Sequence, residues 1–257
     1  MFIPKWIKEI PQEQPILLAG PTASGKSALA SVIAETAGGR VINADALQVF
    51  KNWRILTARP SITEEIRIQH SLYGHIESCT SYSVGHWLRE IVPILKTKKR
   101  PIIVGGTGLY FKALTEGLAN IPEIPFEIIK ESEKKQKMRG LRSLICDLDS
   151  RTKNLIDIQN PRRVLRAWQV WAYTGRSILE WQHDTPSPIL PLKACTAILF
   201  TLDKDCLSQR IERRFKKMIE VGVLEEAKIN ATNWCPNAPS SKAIGAQELV
   251  SFTKGNI

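Results

Sequence analysis

The 257-residue sequence predicts an α/β fold, in which a parallel sheet is flanked by helices and interrupted by a helical insertion. Short apolar segments that suit buried strands alternate with segments whose apolar residues recur at helical spacing, as in parallel sheets. From the Pro122 and Pro125 breaks to about Arg176 the sequence is instead helical and basic, without strand-like segments. We therefore predict a sheet domain of residues 1–121 and 177–257 and an insertion of residues 122–176.

The first strand of the predicted sheet leads into a glycine-rich loop and then a helix. It reads PILLAG, and the helix that follows from Lys26 ends at Gly38-Gly39. Between them stands GPTASGKS, the Gly-x4-Gly-Lys-Ser pattern of a P-loop in its required strand–loop–helix context. Loop N–H groups, a helix N-terminus and a lysine all attract anions. We therefore expect Lys26 and Ser27 to meet a di- or triphosphate.

The remaining elements of the sheet domain continue the alternation. A second strand is predicted at 40–45, a helix at 81–99 with Pro93 inside it, a third strand at 100–106 and a helix at 107–118. A proline within a helix predicts a kink or a later start. After the insertion, a strand is predicted at 195–203. An amphipathic helix follows it and stops at Gly222, with an apolar stripe of Leu207, Ile211, Met218 and Ile219.

Polar residues follow the ends of these strands, where ligands bind in parallel sheets. Asp45 ends the second strand and Thr107 follows the third, so both are expected near the phosphates. A helix N-cap is the alternative role for Asp45. The third strand ends in Gly-Gly-Thr, without the acid that organises magnesium in many ATP-hydrolysing enzymes. Asp203, at the end of a later strand, is a candidate for that role.

The charge of the chain predicts a polyanionic partner. The formal net charge is +11, and Lys130 to Arg176 contains twelve Lys or Arg against five Asp or Glu, a net charge of +7. A solvated helix face can be basic for solubility alone, but a cluster this uneven is typical of nucleic-acid binding. The insertion is therefore the predicted nucleic-acid interface.

Other features exclude several classes of protein. The sequence has no run of 18 apolar residues that would span a membrane, and its N-terminus, interrupted by prolines and charges, does not resemble a signal peptide. Five cysteines are scattered without C-x-x-C spacing, and four histidines form no cluster with cysteines or acids. We therefore expect no disulfide framework and no metal held by protein ligands alone, and we predict a reducing cytoplasm.

Seven segments occur along the chain in the order GPTASGKS, INADALQVF, TARP, VGGTGLYFKAL, NPRRVLRAWQVWAYTGR, LDKDCLSQRIERRFKKMIEVGVLEEA and AIGAQEL. In this order they resemble the bacterial tRNA dimethylallyltransferases, or tRNA isopentenyltransferases. The resemblance runs from about residue 15 to residue 250. It implies transfer of a dimethylallyl group from dimethylallyl diphosphate to N6 of adenosine 37 in the tRNA anticodon loop, with release of diphosphate.

The resemblance also implies roles for individual residues. Asp45, Lys26 and Ser27 are the implied catalytic residues, with Asp45 as general base and Mg²⁺ on Ser27 through the diphosphate. Gln48 is the implied partner of the target adenine. The implied diphosphate-binding residues are Gly20, Thr22, Ala23, Ser24, Gly25, Lys26, Ser27 and Arg210. The implied tRNA-binding residues are Asp45, Ala46, Leu47, Gln48, Thr107, Arg162, Arg163, Val164, Leu165 and Arg166.

The chain also departs from the family pattern. The family usually has serine, tyrosine, aspartate and tyrosine at the four positions where this chain has Ala46, Phe50, Arg54 and Ala246, in that order. Family members also usually continue in a basic, aromatic C-terminal helix where this chain stops at Ile257, so we expect a shortened C-terminus. Two alternatives stay open: a tRNA-binding relative with weak or no transferase activity, and a small-molecule kinase that uses ATP at the same loop. We expect a monomer.

Overall fold

The computed structural model describes residues 7, 9–11 and 13–256, and the chain divides into two compact units. The sheet unit comprises the described residues of Met1–Glu116 and Ile189–Ile257, and the helical unit is Gly117–Pro188. Most of the N-terminal segment for which we predict no signal peptide, and the terminal Ile257, lie outside the described residues. The helical unit extends past the predicted insertion, 122–176, at both ends.

The sheet unit contains a five-stranded parallel sheet with strand order β3-β2-β4-β1-β5, which confirms the predicted fold class. The four predicted strands all form, and β3 is an additional two-residue strand at one edge. The strands are β1 (Ile16–Ala19), β2 (Arg40–Asn43), β3 (His70–Ser71), β4 (Pro101–Gly105) and β5 (Thr196–Leu199).

Helices connect these strands, and the side chains of Ser61, Ser83 and Asp203 cap the N-termini of three of them. Ser83 caps α3 with a capping box, and the helix begins directly after it and includes Pro93. The helices of the sheet unit are α1 (Lys26–Ala37), α2 (Ile62–Arg67), α3 (Val84–Leu95), α4 (Gly108–Glu116), α9 (Lys204–Glu220), α10 (Val223–Ala231) and α11 (Ala246–Thr253).

The centre of the sheet brings the ends of β2 and β4 into close contact. Ile16 lies beside Ile102 in the register of β1 and β4, and both side chains are fully buried. At the end of β4, a Cβ on Gly105 would lie 2.0 Å from the carbonyl oxygen of Ala44, so only glycine fits there. The loops that carry Asp45 and Thr107 therefore start side by side.

Helix α9 is less buried than its apolar stripe predicts. No residue of the helix is fully buried, and the side chains of Ile211 and Ile219 are 42% and 40% exposed. Of the predicted stripe, Met218 packs against a hydrophobic cluster that contains Trp53 and Val223. The stripe is exposed because α9 follows an edge strand and packs mainly against α10 rather than across the sheet.

The helical unit has its own core, formed where two of its helices pack together. Leu144, Val164 and Ala167 are buried in this core, and Trp168 donates a hydrogen bond of 2.7 Å from Nε1 to Asp147. The unit ends beyond residue 176 because Ile178 packs against the same core. The helices of the unit are α5 (Phe126–Asp147), α6 (Ser150–Leu155), α7 (Pro161–Thr174) and α8 (Ile178–His183).

Three further observations concern membranes, cysteines and metals. Over the described residues, no helix combines the length and apolar character needed to cross a bilayer. All five cysteines of the sequence are free thiols. In the same part of the chain, no group of three or more His, Cys, Asp or Glu side chains is placed to hold a metal ion.

Candidate active site

The glycine-rich loop between β1 and α1 leaves the N-terminus of α1 open. Gly25, at the N-cap position, has φ 98°, and Ala23 has φ 58°, so the chain turns through two left-handed residues before the helix. No side chain caps the first N–H groups of α1. Those donors and the positive end of the helix dipole are therefore available to an anion.

A cavity of about 430 Å³ lies between this loop and α9. None of the described residues that line it is acidic and several are basic, so its electrostatic potential is positive, as a di- or triphosphate requires. The lining residues are Ala23, Ser24, Gly25, Lys26, Ser27 and Ala28 from the loop and α1, and Arg210, Arg213, Arg214 and Lys217 from α9.

Lys26 is the cation closest to the loop backbone. Its Nζ donates a hydrogen bond of 2.9 Å to the carbonyl oxygen of Pro21. Burial lowers the pKa of Lys26 from its usual value, the carboxylate of Asp45 opposes that shift, and the guanidinium of Arg214 adds to it. Lys26 is thus partly desolvated and lies between the carboxylate of Asp45 and the guanidinium of Arg214. A bound anion would offset the excess positive charge of the two basic side chains.

Two arginines of α9 reach the glycine-rich loop. The Nη1 of Arg210 lies 3.4 Å from the carbonyl oxygen of Ser24, and that of Arg214 lies 3.4 Å from Thr22 Oγ1. Both distances are long for hydrogen bonds, so each guanidinium keeps donors for a ligand. Arg213, Arg214 and Lys217 also line the cavity but are not among the predicted diphosphate-binding residues. Their signal in the sequence is their spacing of three, four and seven residues from Arg210 along one helix.

Asp45 lies in a turn after β2, and each of its carboxylate oxygens has a different environment. Oδ1 accepts a hydrogen bond of 2.9 Å from the backbone N–H of Leu47, while Oδ2 lies 3.7 Å from the position of a Cβ on Gly106. Oδ2 has no hydrogen-bond donor among the described residues and is not buried. Asp45 therefore closes a turn rather than capping a regular helix, and one oxygen stays available to a substrate.

Two neighbouring polar side chains hold that turn. The hydroxyl of Thr107 accepts a hydrogen bond of 2.9 Å from the backbone N–H of Ala46, and Asn43 Oδ1 accepts one of 2.8 Å from that of Asp45. Asn43 is buried and also donates to the backbone carbonyl of Leu72 at 3.0 Å. Thr107 thus lies beside Asp45, as its place after β4 predicts, and its hydroxyl can still donate a hydrogen bond.

The residues after Asp45 have different surroundings. Gln48 is half-buried and donates from Nε2 to the carbonyl oxygens of Thr57 and Ala58, at 2.7 and 3.2 Å. The side chain of Leu47 packs against the hydrophobic cluster around Trp53. Among residues 46–48, Gln48 therefore keeps one polar side-chain atom, Oε1, that has no hydrogen-bond donor among the described residues, and Leu47 supports the loop.

The donor set at the loop fits magnesium only as a partner of a bound diphosphate. Ser27 is exposed at the cavity, and the described residues that line this cavity include no carboxylate. Asp203, the other candidate, accepts a hydrogen bond of 2.8 Å from Cys206 N and is the N-cap of α9. Magnesium usually keeps several water ligands and binds substrate phosphates beside one or two protein oxygens, an arrangement that Ser27 could complete.

The predicted tRNA-contacting stretch lies on α7 of the helical unit, behind an Asn160 N-cap. Arg162, Arg163 and Arg166 are exposed, and we call them the arginine row. Val164 is fully buried in the helical core and Leu165 is half-buried, so these two side chains support the helix from behind. The three arginines are therefore the residues of this stretch that an RNA backbone can reach.

Comparison with known proteins identifies one family. The sequence profile described as IPPT: IPP transferase matches residues 48–257. The tRNA dimethylallyltransferase of Ruegeria sp. is 53% identical over 97% of this chain and 85% of its own length. That of Cereibacter sphaeroides is 52% identical over 96% of this chain and 84% of its own length.

Solved structures show the same fold. The full-length tRNA isopentenylpyrophosphate transferase of Bacillus halodurans is 27% identical, with a TM-score of 0.61 over 95% of this chain and 78% of its own. A eukaryotic dimethylallyltransferase acting on tRNA has a TM-score of 0.74 at 22% identity, over 95% and 67% of the two chains. At that identity the second likeness concerns the fold alone.

Proposed function

Because this chain belongs to the IPP transferase family, we propose that it transfers a dimethylallyl group from dimethylallyl diphosphate to N6 of adenosine 37 in tRNA. It is a prenyltransferase that modifies tRNA. The observation that carries the proposal is the positive cavity at the glycine-rich loop, with the free Oδ2 of Asp45 on the neighbouring strand end. Such a cavity suits a diphosphate leaving group.

The diphosphate leaves when its negative charge is neutralised. The bond between the allylic carbon and the diphosphate oxygen breaks as positive charge develops on carbon and negative charge on oxygen. Lys26, the loop N–H groups and Arg210 would stabilise that oxygen charge, which is the main contribution that fixed donors make to catalysis. Magnesium, held by Ser27 and the diphosphate, would supply additional positive charge.

Asp45 is placed to remove a proton from the nucleophile. The exocyclic amine of adenine is a weak nucleophile, so a carboxylate that accepts its proton as the C–N bond forms would assist the attack. Oδ2 is the oxygen that can do so, because Oδ1 is occupied by the N–H of Leu47. The turn held by Thr107 keeps Asp45 in place while Oδ2 gains the proton.

The tRNA must present adenosine 37 outside the base stack, since a stacked base cannot reach a recessed site. We assign the arginine row to the phosphate backbone of the tRNA and Gln48 to the target base. Phosphate contacts set the position of the RNA, whereas base contacts determine which base is recognised. The free thiols suit a reducing cytoplasm, and a monomer remains our expectation for the enzyme.

One experiment tests the function against both alternatives. The protein is incubated with tRNA, dimethylallyl diphosphate and magnesium, and the digested nucleosides are analysed by mass spectrometry. We expect a dimethylallyl mass gain on adenosine that depends on all components. Binding of tRNA without the mass gain would identify a non-catalytic relative, and phosphate transfer from ATP to a small molecule would identify a kinase.

A further inference from the structure

Glu226, in the first turn of α10, is bonded to the loop that follows β2. Its Oε1 accepts from the backbone N–H groups of Arg54 and Ile55, at 2.6 and 2.8 Å, and its Oε2 from that of Leu56 at 2.9 Å. Successive N–H groups that converge in this way form an anion-binding concavity. Here a side chain of the same protein occupies it, so α10 fixes residues 54–56.

That segment continues directly into the two residues that bind Gln48. The N–H of Ala58 donates to the carbonyl of Ile55 at 2.9 Å, and Ala58 has φ 50°, a conformation that alanine keeps only where its surroundings hold it. The carbonyl oxygens of Thr57 and Ala58 then accept from Gln48 Nε2. Hydrogen bonds therefore link Glu226 to Gln48 through one short segment of backbone.

Those two carbonyl oxygens determine which way the amide of Gln48 faces. A carbonyl oxygen only accepts hydrogen bonds, so the atom that contacts both must be the NH₂ nitrogen. Both hydrogens of that group are then in use. Oε1 has no donor among the described residues and is not buried. Gln48 therefore offers a ligand an acceptor and no donor.

We propose that Glu226 is a positioning residue that makes Gln48 select a 6-amino purine over a 6-keto purine. Adenine presents an N–H donor at its 6-position, which Oε1 of Gln48 can accept, whereas guanine and hypoxanthine present an oxygen. A free amide would rotate and donate to that oxygen, so the selection depends on the fixed segment. This inference rests on the proposed function, because it assigns Gln48 to the target base.

The test compares RNA binding by the full-length protein and by Glu226→Ala at a temperature where both are folded. The probes are anticodon stem-loops with adenosine or inosine at position 37, and the readout is the ratio of their dissociation constants. We expect the wild type to favour adenosine on the order of tenfold and Glu226→Ala to lower the ratio toward one. Dimethylallyl diphosphate binding should not change.

Glu225→Ala is the matched control. Glu225 precedes Glu226 on α10, its side chain is 70% exposed, and it pairs only with Lys228. Its removal changes the net charge equally but leaves the loop after β2 untouched, so the base ratio should stay at the wild-type value. If Glu226→Ala does not fold, Glu226→Gln serves, since its amide nitrogen would face backbone donors and weaken the same contacts.

A double-mutant cycle decides whether Glu226 acts through Gln48. Gln48→Leu removes the acceptor and should abolish the base ratio, after which adding Glu226→Ala should change that ratio no further. An unchanged ratio in Glu226→Ala, or independent additive effects of the two changes, would overturn the inference. Separately, a wild-type protein that forms no dimethylallyl product on the adenosine stem-loop would contradict the proposed function, whatever the ratio.

Discussion

The cavity at the glycine-rich loop and the arginine row on α7 are both basic, but they are built differently. In the cavity, Lys26 is half-buried and works beside backbone N–H groups whose directions the loop fixes. In the arginine row, the charges stand on exposed side chains of one helix face. The first arrangement suits a compact anion at a reacting centre. The second suits a long polyanion, which needs charge more than geometry.

The difference predicts that the cavity tolerates substitution least. Lys26→Ala should lower the transfer rate by roughly 10²- to 10³-fold, because it removes a fixed cation beside the leaving oxygen. The measurement is single-turnover transfer from dimethylallyl diphosphate to tRNA, with the melting temperature as a check on folding. Lys216→Ala is the control, since Lys216 is exposed, pairs with Glu212 and lies outside the cavity lining. A folded Lys26→Ala variant that is slowed less than threefold would contradict this assignment of the loop.

Asp45→Asn should have the next largest effect and should act on chemistry alone. Asparagine keeps an oxygen that can accept from Leu47 N–H, so the turn should survive, while an NH₂ group that cannot act as a base replaces Oδ2. We expect transfer to slow by a factor on the order of a hundred, with tRNA affinity and melting temperature retained. If both of these fall while the chemical step keeps its rate, Asp45 is a structural acid and the base lies elsewhere.

The affinity for tRNA that the arginine row provides should fall as the salt concentration rises. Binding of the diphosphate in the cavity should depend on salt much less. Each Lys or Arg that neutralises a phosphate of single-stranded RNA releases about 0.7 counterion. Changing Arg162, Arg163 and Arg166 to Gln should therefore flatten the plot of log affinity against log salt by roughly two units. Cognate and non-cognate tRNA should lose affinity alike, since phosphate contacts do not read sequence. Binding of dimethylallyl diphosphate should be unchanged.

A charge-matched control separates this local effect from a change in net charge. Lys112, Lys216 and Lys228 each pair with a glutamate on the same helix of the sheet unit, and changing all three to Gln removes as much positive charge. That variant should keep the wild-type slope. Equal slopes for the wild type and the arginine variant would mean that the row keeps a helix soluble and does not touch phosphates.

The sequence was sufficient to predict the elements that depend on local pattern. The four predicted strands each contain a short apolar segment, and the loop from Gly20 to Ser27 carries its own spacing signal. Strand β3 was not predictable, because it consists of His70 and Ser71 alone and exists only through pairing with Val41 and Ile42. The apolar stripe of α9 is more exposed than its periodicity predicts, since periodicity does not reveal that the adjoining strand is an edge.

The same division holds within the site. Asp45 and Thr107 follow strand ends, so sheet geometry alone predicts their neighbourhood. The bond from Glu226 to Leu56 joins residues 170 positions apart, and no local pattern connects them. The orientation of the Gln48 amide likewise depends on two distant backbone carbonyls rather than on residue type. Contacts made by tertiary structure therefore determine the finer specificity of the site.

Arg213 shares one property with each basic region, and its substitution should have the smallest effect on the transfer reaction. It lines the cavity, as Lys26 does, yet it is exposed like the arginine row, and its side chain has no partner among the described residues. An exposed charge without fixed geometry contributes about 1 kcal/mol or less. Arg213→Gln should therefore raise KM for dimethylallyl diphosphate only a few-fold, with kcat nearly unchanged, and the difference should shrink as salt rises.

Lys216→Gln is the control for Arg213, because it removes one charge from the same helix outside the cavity lining. Its KM should match the wild type at every salt concentration. If both variants raise KM equally, the general field of α9 attracts the donor and Arg213 has no particular place at the diphosphate. If Arg213→Gln lowers kcat by a hundredfold instead, the guanidinium acts on the leaving oxygen itself. The distinction between fixed cations of the loop and exposed arginines would then not apply to α9, because Arg213 would contribute to catalysis as Lys26 does.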